Sequence, residues 1–208
     1  MAVARVPAPP SWVLDAPRPV QEERILDAAL RCIARWGVAK TTLDDVAREA
    51  GISRATVYRL FPGGKDGLMD AVAGTEVRRF FAAVAARMAE ADTLEDTLVA
   101  GMAEAGRRIY GNPALQFLMA HEPEAVLPRL AFAKLDEVLD AAARAAAPYL
   151  ERHLPAADAA RAAEWAARIV LSYVCTPGES HVDITDEASV RRLVRAFVLP
   201  GLLAKGNT

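Results

Sequence analysis

The chain has 208 residues, of which 53% are hydrophobic and 25% are charged, and its formal net charge is −2. This composition is typical of a globular protein of one or two domains and excludes disordered and fibrous classes. The longest apolar run, residues 196–204, is too short to span a bilayer and is interrupted by Pro200. Two distant cysteines, Cys32 and Cys175, exclude a disulfide framework. Since no signal peptide is predicted either, we expect a cytoplasmic protein with no membrane partner.

The charges are unevenly distributed along the chain. Residues 18–79 contain 11 Lys or Arg against 9 Asp or Glu, whereas residues 80–208 contain 13 against 17. A mildly basic first third followed by an acidic remainder is compatible with a DNA-binding domain joined to an acidic body.

The N-terminal end is predicted to be an arm followed by a helix. Four prolines and weak periodicity predict a disordered arm over residues 1–17. Apolar residues at helical spacing then predict a helix from Gln21 to Trp36, which Gly37 ends. Cys32 lies on the apolar stripe of this helix and is interpreted as a core residue.

Two short helices separated by a glycine turn are predicted next. Thr42, with an acidic residue three positions later, forms a capping-box pattern that begins a helix ending at Gly51. Ser53 is placed to cap a second short helix that runs through Phe61. A helix of about eight residues, a glycine turn and a further short helix form the pattern of a helix-turn-helix.

The remainder of the chain is predicted to be helical throughout. A longer helix begins at Lys65 and runs to about residue 90. Proline residues separate the following segments, and no alternating β-branched pattern competes with the helical interpretation. The predicted segments are 93–110, 113–120, 124–147, 158–175 and 186–199. The predicted fold class is all-α.

The third predicted helix combines a buried face with a polar one. Its polar side chains mostly lie away from Val57 and Phe61, and such a helix can enter a DNA major groove about 12 Å wide. The strip from residue 41 to residue 61, with Trp36-Gly37 before it and Lys65 after it, resembles the DNA-binding domain of TetR-family transcriptional regulators. The resemblance covers roughly residues 20–72. It departs from the family pattern at residues 62–66, where the family usually has a shorter turn.

The resemblance implies an organisation and a function for the whole chain. It implies a helix-turn-helix DNA-binding domain over residues 18–72 and a helical ligand-binding and dimerisation domain over residues 73–208. The expected function is that of a repressor that binds a palindromic operator as a homodimer and is released by a small effector. No catalytic activity, cofactor or metal is expected.

The resemblance also assigns DNA contacts to individual positions. Those positions are Thr42, Ser53, Arg54, Thr56, Tyr58, Arg59 and Lys65. Thr42 and Lys65 match phosphate contacts at helix N-termini, and Tyr58 matches an aromatic whose hydroxyl reaches a phosphate. Arg54 and Thr56 match positions at or near the bases. The alternatives are a purely capping role for Thr42, a half-buried packing role for Tyr58 and solvated charges for the arginines. Arg18 is either a further phosphate or minor-groove contact or a solvated tail residue.

In the C-terminal domain the layout of the family, rather than a motif, supplies the expected sites. The expected lining of an apolar ligand cavity is Phe80, Met102, Phe117, Leu118, His121, Trp165 and Tyr173. The expected dimer interface is Trp165, Ile169, Val190, Leu193, Val194 and Phe197. The alternative for both sets is the core of the chain itself. Because few charges interrupt these apolar stripes, we expect a hydrophobic effector.

Other classes of function predict different behaviour. A transcriptional activator or a global DNA-binding protein of the same fold would differ from a repressor in its response to effector or in its DNA specificity. An all-helical enzyme or scaffold would show no sequence-specific DNA binding. His121, His153 and His181 lack the spacing of a metal site, and residues 63–66 lack the pattern of a phosphate-binding loop.

Overall fold

The computed structural model describes residues 19–130, 135–175 and 182–203, so the predicted arm over residues 1–17 and Arg18 lie outside it. The described residues form helices without a β-strand, and the predicted all-α class is confirmed. The helices are α1 (Val20–Lys40), α2 (Leu43–Ala50), α3 (Arg54–Leu60), α4 (Gly64–Ala89), α5 (Leu94–Tyr110), α6 (Pro113–His121), α7 (Pro123–Leu130), α8 (Leu135–Leu150), α9 (Ala156–Cys175), α10 (Glu187–Leu193) and α11 (Leu199–Leu203). A π-helical turn, Val194–Val198, joins α10 to α11. The predicted helix over residues 124–147 corresponds to α7 and α8, between which residues 131–134 are not described.

The described chain forms two compact units. The first, here called the head, contains residues 19–79 together with 110–130. Its core consists of fully or nearly fully buried apolar side chains, among them Ile25, Leu26, Cys32, Val46, Val57 and Leu68. From α6, Ala114 belongs to this core and Leu118 packs against it. The head therefore extends beyond the predicted DNA-binding domain, residues 18–72, because residues 73–79 and 110–130 pack into the same unit. The predicted domain boundary at residue 72 stays a prediction.

The helix ends in the head follow from local chemistry. The Thr42 side chain accepts a hydrogen bond from the backbone N–H of Asp45, which completes the predicted capping box of α2. Gly51 ends that helix in the left-handed conformation, with φ of 64°, which a residue without Cβ adopts without strain. Ser53 caps α3 by accepting a hydrogen bond from Thr56 N–H. The predicted helix-turn-helix is thus confirmed, with α3 ending at Leu60 and Phe61, the predicted last residue, acting as its C-cap.

The second unit, here called the body, contains residues 80–109, 135–175 and 182–203 of the described chain. Its core includes fully buried Tyr149, Leu150, Val190 and Val194. Three alanines of α9, Ala159, Ala162 and Ala163, are buried, which allows α8 and α9 to pack closely. An ion-pair cluster fastens α10 to the start of α5: Arg191 lies 2.6 Å from both Glu95 and Asp96. An apolar cavity lies among α4, α5, α8 and α9 of the body.

Candidate nucleic-acid interface and apolar cavity

Helix α3 presents one apolar face to the head and a polar face to solvent. Val57 is fully buried, whereas the Tyr58 side chain beside it on the sequence is 54% exposed. Arg54 and Arg59 are exposed as well. Because α2 and the Gly51 turn hold the buried face, the exposed face is available as a unit to a groove in DNA.

The N-terminus of α2 presents an exposed hydroxyl beside the first amides of the helix. Thr42 is exposed, and its hydroxyl donates a 2.5 Å hydrogen bond to Asp45 Oδ2. The hydrogen bond from Thr42 holds the pKa of the Asp45 carboxyl below its ordinary value, with Arg48 acting in the same direction. The N-terminus of a helix favours anionic groups such as phosphate, which is the role that the sequence predicts for Thr42.

An ion pair joins the two helices of the helix-turn-helix. Arg54 Nη1 lies 2.9 Å from Asp44 Oδ2, and the arginine side chain remains 70% exposed. A guanidinium held on one edge by a carboxylate keeps its other donors available, and two parallel donors match guanine O6 and N7. The structure therefore leaves Arg54 in an arrangement suited to reading a base. Sequence reasoning assigned no role to Asp44.

The start of α4 brings a lysine back to the end of α1. Lys65 Nζ donates a 2.9 Å hydrogen bond to the backbone carbonyl of Ala39. An ammonium group has three donors, so two remain for a phosphate. Lys65 thus lies beside the turn that leads into Thr42, although 23 positions separate the two residues in sequence.

That same turn is bound by a carboxylate from far along the chain. Glu122, which follows α6, accepts a 2.9 Å hydrogen bond from the backbone N–H of Val38 and a 3.3 Å one from that of Ala39. Gly37 has φ of 79° and ψ of 175°, outside the helical region, so α1 is kinked at the residue where the sequence predicts its end and continues to Lys40. The sequence assigns no structural role to Glu122, and no local pattern connects it with a turn 84 positions earlier.

The body contains an apolar cavity of about 100 Å³. Every described residue that lines it is apolar, and the lining comes from α4, α5, α8 and α9. Two methionines, Met88 and Met102, contribute to the wall. Because methionine adapts its shape with little cost, these two side chains allow the cavity to fit ligands of different outlines.

The predicted ligand-binding residues fall into three places. Phe80 and Met102 line the cavity. Phe117, Leu118 and His121 belong to the head, where the Phe117 and His121 rings stack with centroids 4.4 Å apart. Trp165 and Tyr173 lie instead on a surface pocket of the body, described next. The structure therefore brings together only two of the seven residues on the cavity.

An exposed, mostly apolar patch lies on α9, α10 and the π-helical turn that follows α10. We call it the α9–α10 patch. It comprises Trp165, Arg168, Ile169, Ser172, Tyr173, Leu193 and Phe197. Trp165 is 62% exposed and Phe197 is 79% exposed, unusually high values for such large apolar side chains. Val190 and Val194, predicted at the interface with them, are fully buried in the core of the body, and Leu193 is only 6% exposed. These three residues match the alternative that the sequence left open.

The described residues form neither a metal-binding cluster nor a membrane span. No group of three or more His, Cys, Asp or Glu side chains is arranged to hold a metal ion there. Of the helices covered by the described ranges, none is long and apolar enough to cross a membrane.

Comparisons with known proteins agree with this geometry. Residues 25–72 match the family model described as bacterial regulatory proteins, tetR family. The chain is 28% identical over 189 residues to the HTH-type transcriptional regulator MT1294 of Mycobacterium tuberculosis, covering 91% of this chain and 89% of the relative. It is 39% identical over 74 residues to the HTH-type transcriptional regulator BetI of Burkholderia thailandensis, covering 36% of this chain and 37% of that protein. These relatives are transcriptional regulators and not enzymes.

Solved structures share the fold over most of the chain. One is the TetR family repressor AlkX from Dietzia sp., implicated in biodegradation of n-alkanes, with a TM-score of 0.62, 24% identity and coverage of 91% of this chain and 98% of that one. Another is the transcriptional regulator FadR from Bacillus subtilis in complex with stearoyl-CoA, with a TM-score of 0.60, 18% identity and coverage of 85% and 98%. At these identities the likeness shows the fold.

Proposed function

Because the chain is a TetR-family transcriptional regulator with a helix-turn-helix, we propose that it is a repressor that binds a palindromic operator as a homodimer and is released by a small hydrophobic effector. The observation that carries the proposal is the polar face of α3. Arg54, Tyr58 and Arg59 are exposed there, while Val57 anchors the opposite face in the core.

The proposed DNA contact of each residue follows from the position of its side chain. Arg54 reads a guanine in the major groove, since its guanidinium is oriented by Asp44 at 2.9 Å and exposed on its outer side. Thr42 and Lys65 bind backbone phosphates at the N-termini of α2 and α4. Ser53, Thr56, Tyr58 and Arg59 complete the contact surface on and beside α3.

The proposed homodimer buries the α9–α10 patch. Exposed apolar patches of this kind mark protein–protein contacts, and a two-fold axis would place Trp165 and Phe197 of one protomer against the same patch of its partner. Ile169 and the largely buried Leu193 border the same pocket. Two heads on such a dimer read two inverted half-sites, because the symmetry of the operator mirrors that of the protein.

The proposed effector is an uncharged or predominantly apolar molecule bound in the cavity of the body. The wall offers apolar side chains, so a charged group buried against it would lose its hydration without gaining a partner. An apolar cavity of about 150 Å³ binds benzene or xenon in another protein, and this cavity of about 100 Å³ is of similar scale. The n-alkane and stearoyl-CoA contexts of the AlkX and FadR structures support a hydrophobic effector class.

The DNA-binding part of the proposal is tested by selecting binding sites from a random-sequence duplex library with the full-length protein. We expect the selected sequences to contain two inverted half-sites bound by two chains, as counted by sedimentation of the complex. Selected sequences without inverted symmetry, or one chain per site, would contradict the palindromic homodimer.

The effector part is tested by adding alkanes and simple aromatic molecules to the complex with the selected operator and following anisotropy. Substituting Ala166→Leu fills the cavity wall, whereas Ala160→Leu changes an exposed position on the same helix and serves as the control. We expect an active compound to release DNA from the wild type and from A160L, but not from A166L. Equal release from all three proteins would place the effector elsewhere, and stronger DNA binding with effector would contradict release.

A further inference from the structure

The turn of residues 37–41, where α1 is kinked before α2 begins, has its backbone polar groups bound by three side chains. Two of its N–H groups, of Val38 and Ala39, donate to the carboxylate of Glu122. The carbonyl of Gly37 accepts a 2.6 Å hydrogen bond from the buried Thr41 hydroxyl. The carbonyl of Ala39 accepts the hydrogen bond from Lys65. A turn whose donors and acceptors are satisfied in this way has one defined conformation.

Glu122 occupies the space where a side chain at position 37 would be. An ideal Cβ built on Gly37 would lie 2.6 Å from Glu122 Cδ and closer still to its Oε1. The positive φ of Gly37 turns the chain so that the next two amides point at the carboxylate. The glycine and the glutamate are therefore complementary parts of one arrangement, although they are distant in sequence.

The segment that carries Glu122 is itself fixed to the head. At the start of α6, the Asn112 amide donates a 2.9 Å hydrogen bond to Glu76 on α4, and its side-chain oxygen caps the helix at Leu115 N–H. At the end of α6, the backbone N–H of Glu122 donates to the carbonyl of Leu118, which packs against the head core. The carboxylate thus approaches the turn from a helix held at both ends.

Both residues proposed to bind phosphate depend on this turn. Thr42 follows it directly as the cap of α2, and Lys65 is hydrogen-bonded to its Ala39 carbonyl. We propose that Glu122 is a positioning residue for DNA binding, whose carboxylate holds the turn so that Thr42 and Lys65 reach backbone phosphates together. This proposal rests on the DNA-binding function proposed above, and Glu122 itself contacts no DNA in it.

The test uses the full-length protein with Glu122→Ala, Glu122→Gln and, as a matched control, Glu124→Gln on the neighbouring exposed carboxylate. The dissociation constants for the selected operator and for a random duplex are measured by anisotropy at several salt concentrations. We expect E122A to weaken both about tenfold and to lower the salt slope by about one, since phosphate contacts act on every sequence alike. E122Q keeps one acceptor oxygen and should fall between E122A and the wild type, while E124Q should match the wild type.

Two further measurements distinguish a positioning role of Glu122 in DNA binding from a role in stability alone. The thermal midpoint is measured for each variant, and binding is compared well below it. E122A is also combined with Lys65→Ala, and we expect E122A to cost less than twofold in that background because the contact it positions is already gone. Wild-type-like binding by a thermally weakened E122A, or full additivity with K65A, would overturn the proposal. If the wild type shows no operator preference, the repressor function fails, while the random-duplex series still tests Glu122.

Discussion

Two glycines of α5, five positions apart, allow the packing of the body to be tested by the same substitution. Gly101 and Gly106 are both buried, and neither has a positive φ. Replacing either with alanine gains about 1 kcal/mol of helix propensity. What differs is the neighbour that the new Cβ meets, so the difference between the two variants isolates the cost of that contact.

The neighbour is flexible at one site and rigid at the other. A Cβ at Gly101 would lie 2.9 Å from Met88 Sδ, the end of a side chain that can move into the adjoining cavity. An off-rotamer shift of this kind costs about 0.5–1.5 kcal/mol, so we expect Gly101→Ala to change the free energy of unfolding by less than about 1 kcal/mol. A Cβ at Gly106 would lie 2.8 Å from the carbonyl carbon of Ile184 and nearer to its oxygen.

Backbone atoms cannot escape by rotation, so Gly106→Ala must displace the segment that precedes α10. Overpacking of this kind costs about 1–3 kcal/mol, and the same displacement loosens the 3.3 Å hydrogen bond from Arg107 to the Thr185 carbonyl. The propensity gain is common to both variants and cancels in their difference. Overpacking costs about 1 kcal/mol more than the Met88 shift and the weakened hydrogen bond about 1 kcal/mol, so we expect G106A to be less stable than G101A by about 2 kcal/mol, or roughly 4–8 °C in thermal midpoint.

Urea unfolding followed by circular dichroism at one protein concentration measures the difference. Equal stability of the two variants within about 0.5 kcal/mol would refute the packing described for α5. Since G101A moves Met88 into the cavity, it should in addition weaken effector binding, which gives the same pair a functional comparison.

Three other predictions concern Gly37 in the kink of α1, the α9–α10 patch and the ion-pair cluster around Glu95. Gly37→Ala should lower the free energy of unfolding by more than about 2 kcal/mol, because its φ of 79° and the Glu122 carboxylate both oppose a side chain; a smaller loss by urea unfolding would count against this turn. Phe197→Arg should give a monomer in sedimentation velocity, while Val77→Arg, at another exposed apolar position, should leave the dimer intact. Hydrogen bonds from Arg195, and to a smaller extent from Arg191, lower the pKa of Glu95. The ionised Glu95 therefore stabilises the folded protein above about pH 4.5, and this contribution is lost as the pH falls through the lowered pKa. Glu95→Gln should reduce the fall of the thermal unfolding midpoint as the pH is lowered below about 4.5. The same fall in the variant and the wild type would contradict a stabilising role for this ion-pair cluster.

The helices and their ends could be predicted because their signals are local. Thr42, Gly51 and Ser53 act on backbone groups within a few residues, and each lies at the boundary that the sequence indicates. Asn112-Pro113 likewise marks the start of α6, with the asparagine as its cap. The face of α3 that is exposed could be predicted for the same reason, since the helical period places Val57 opposite its polar neighbours.

The long-range parts of the site could not be predicted. Glu122 binds a turn 84 positions earlier, and a single acidic residue after a helix carries no signal of that distant partner. Apolar periodicity identified the stripes of α9 and α10 but not what covers them, so Val190 and Phe197 were assigned to one interface although one is buried and the other 79% exposed. Phe117, which the sequence predicts to line the ligand cavity, lies in the head for the same reason: an apolar residue on a helix does not indicate which core it joins.

The central claim is that α3 reads a particular DNA sequence, and a fluorescence-anisotropy titration tests it most directly. The full-length protein is titrated into a labelled fragment of its own upstream region and into scrambled DNA at two salt concentrations, with any operator obtained by selection as a further probe. The account predicts binding to the operator at least about 1,000-fold tighter than to scrambled DNA, with Arg54→Ala losing roughly 1–3 kcal/mol on the operator alone. Indistinguishable affinities for scrambled DNA and for every selected sequence would contradict it.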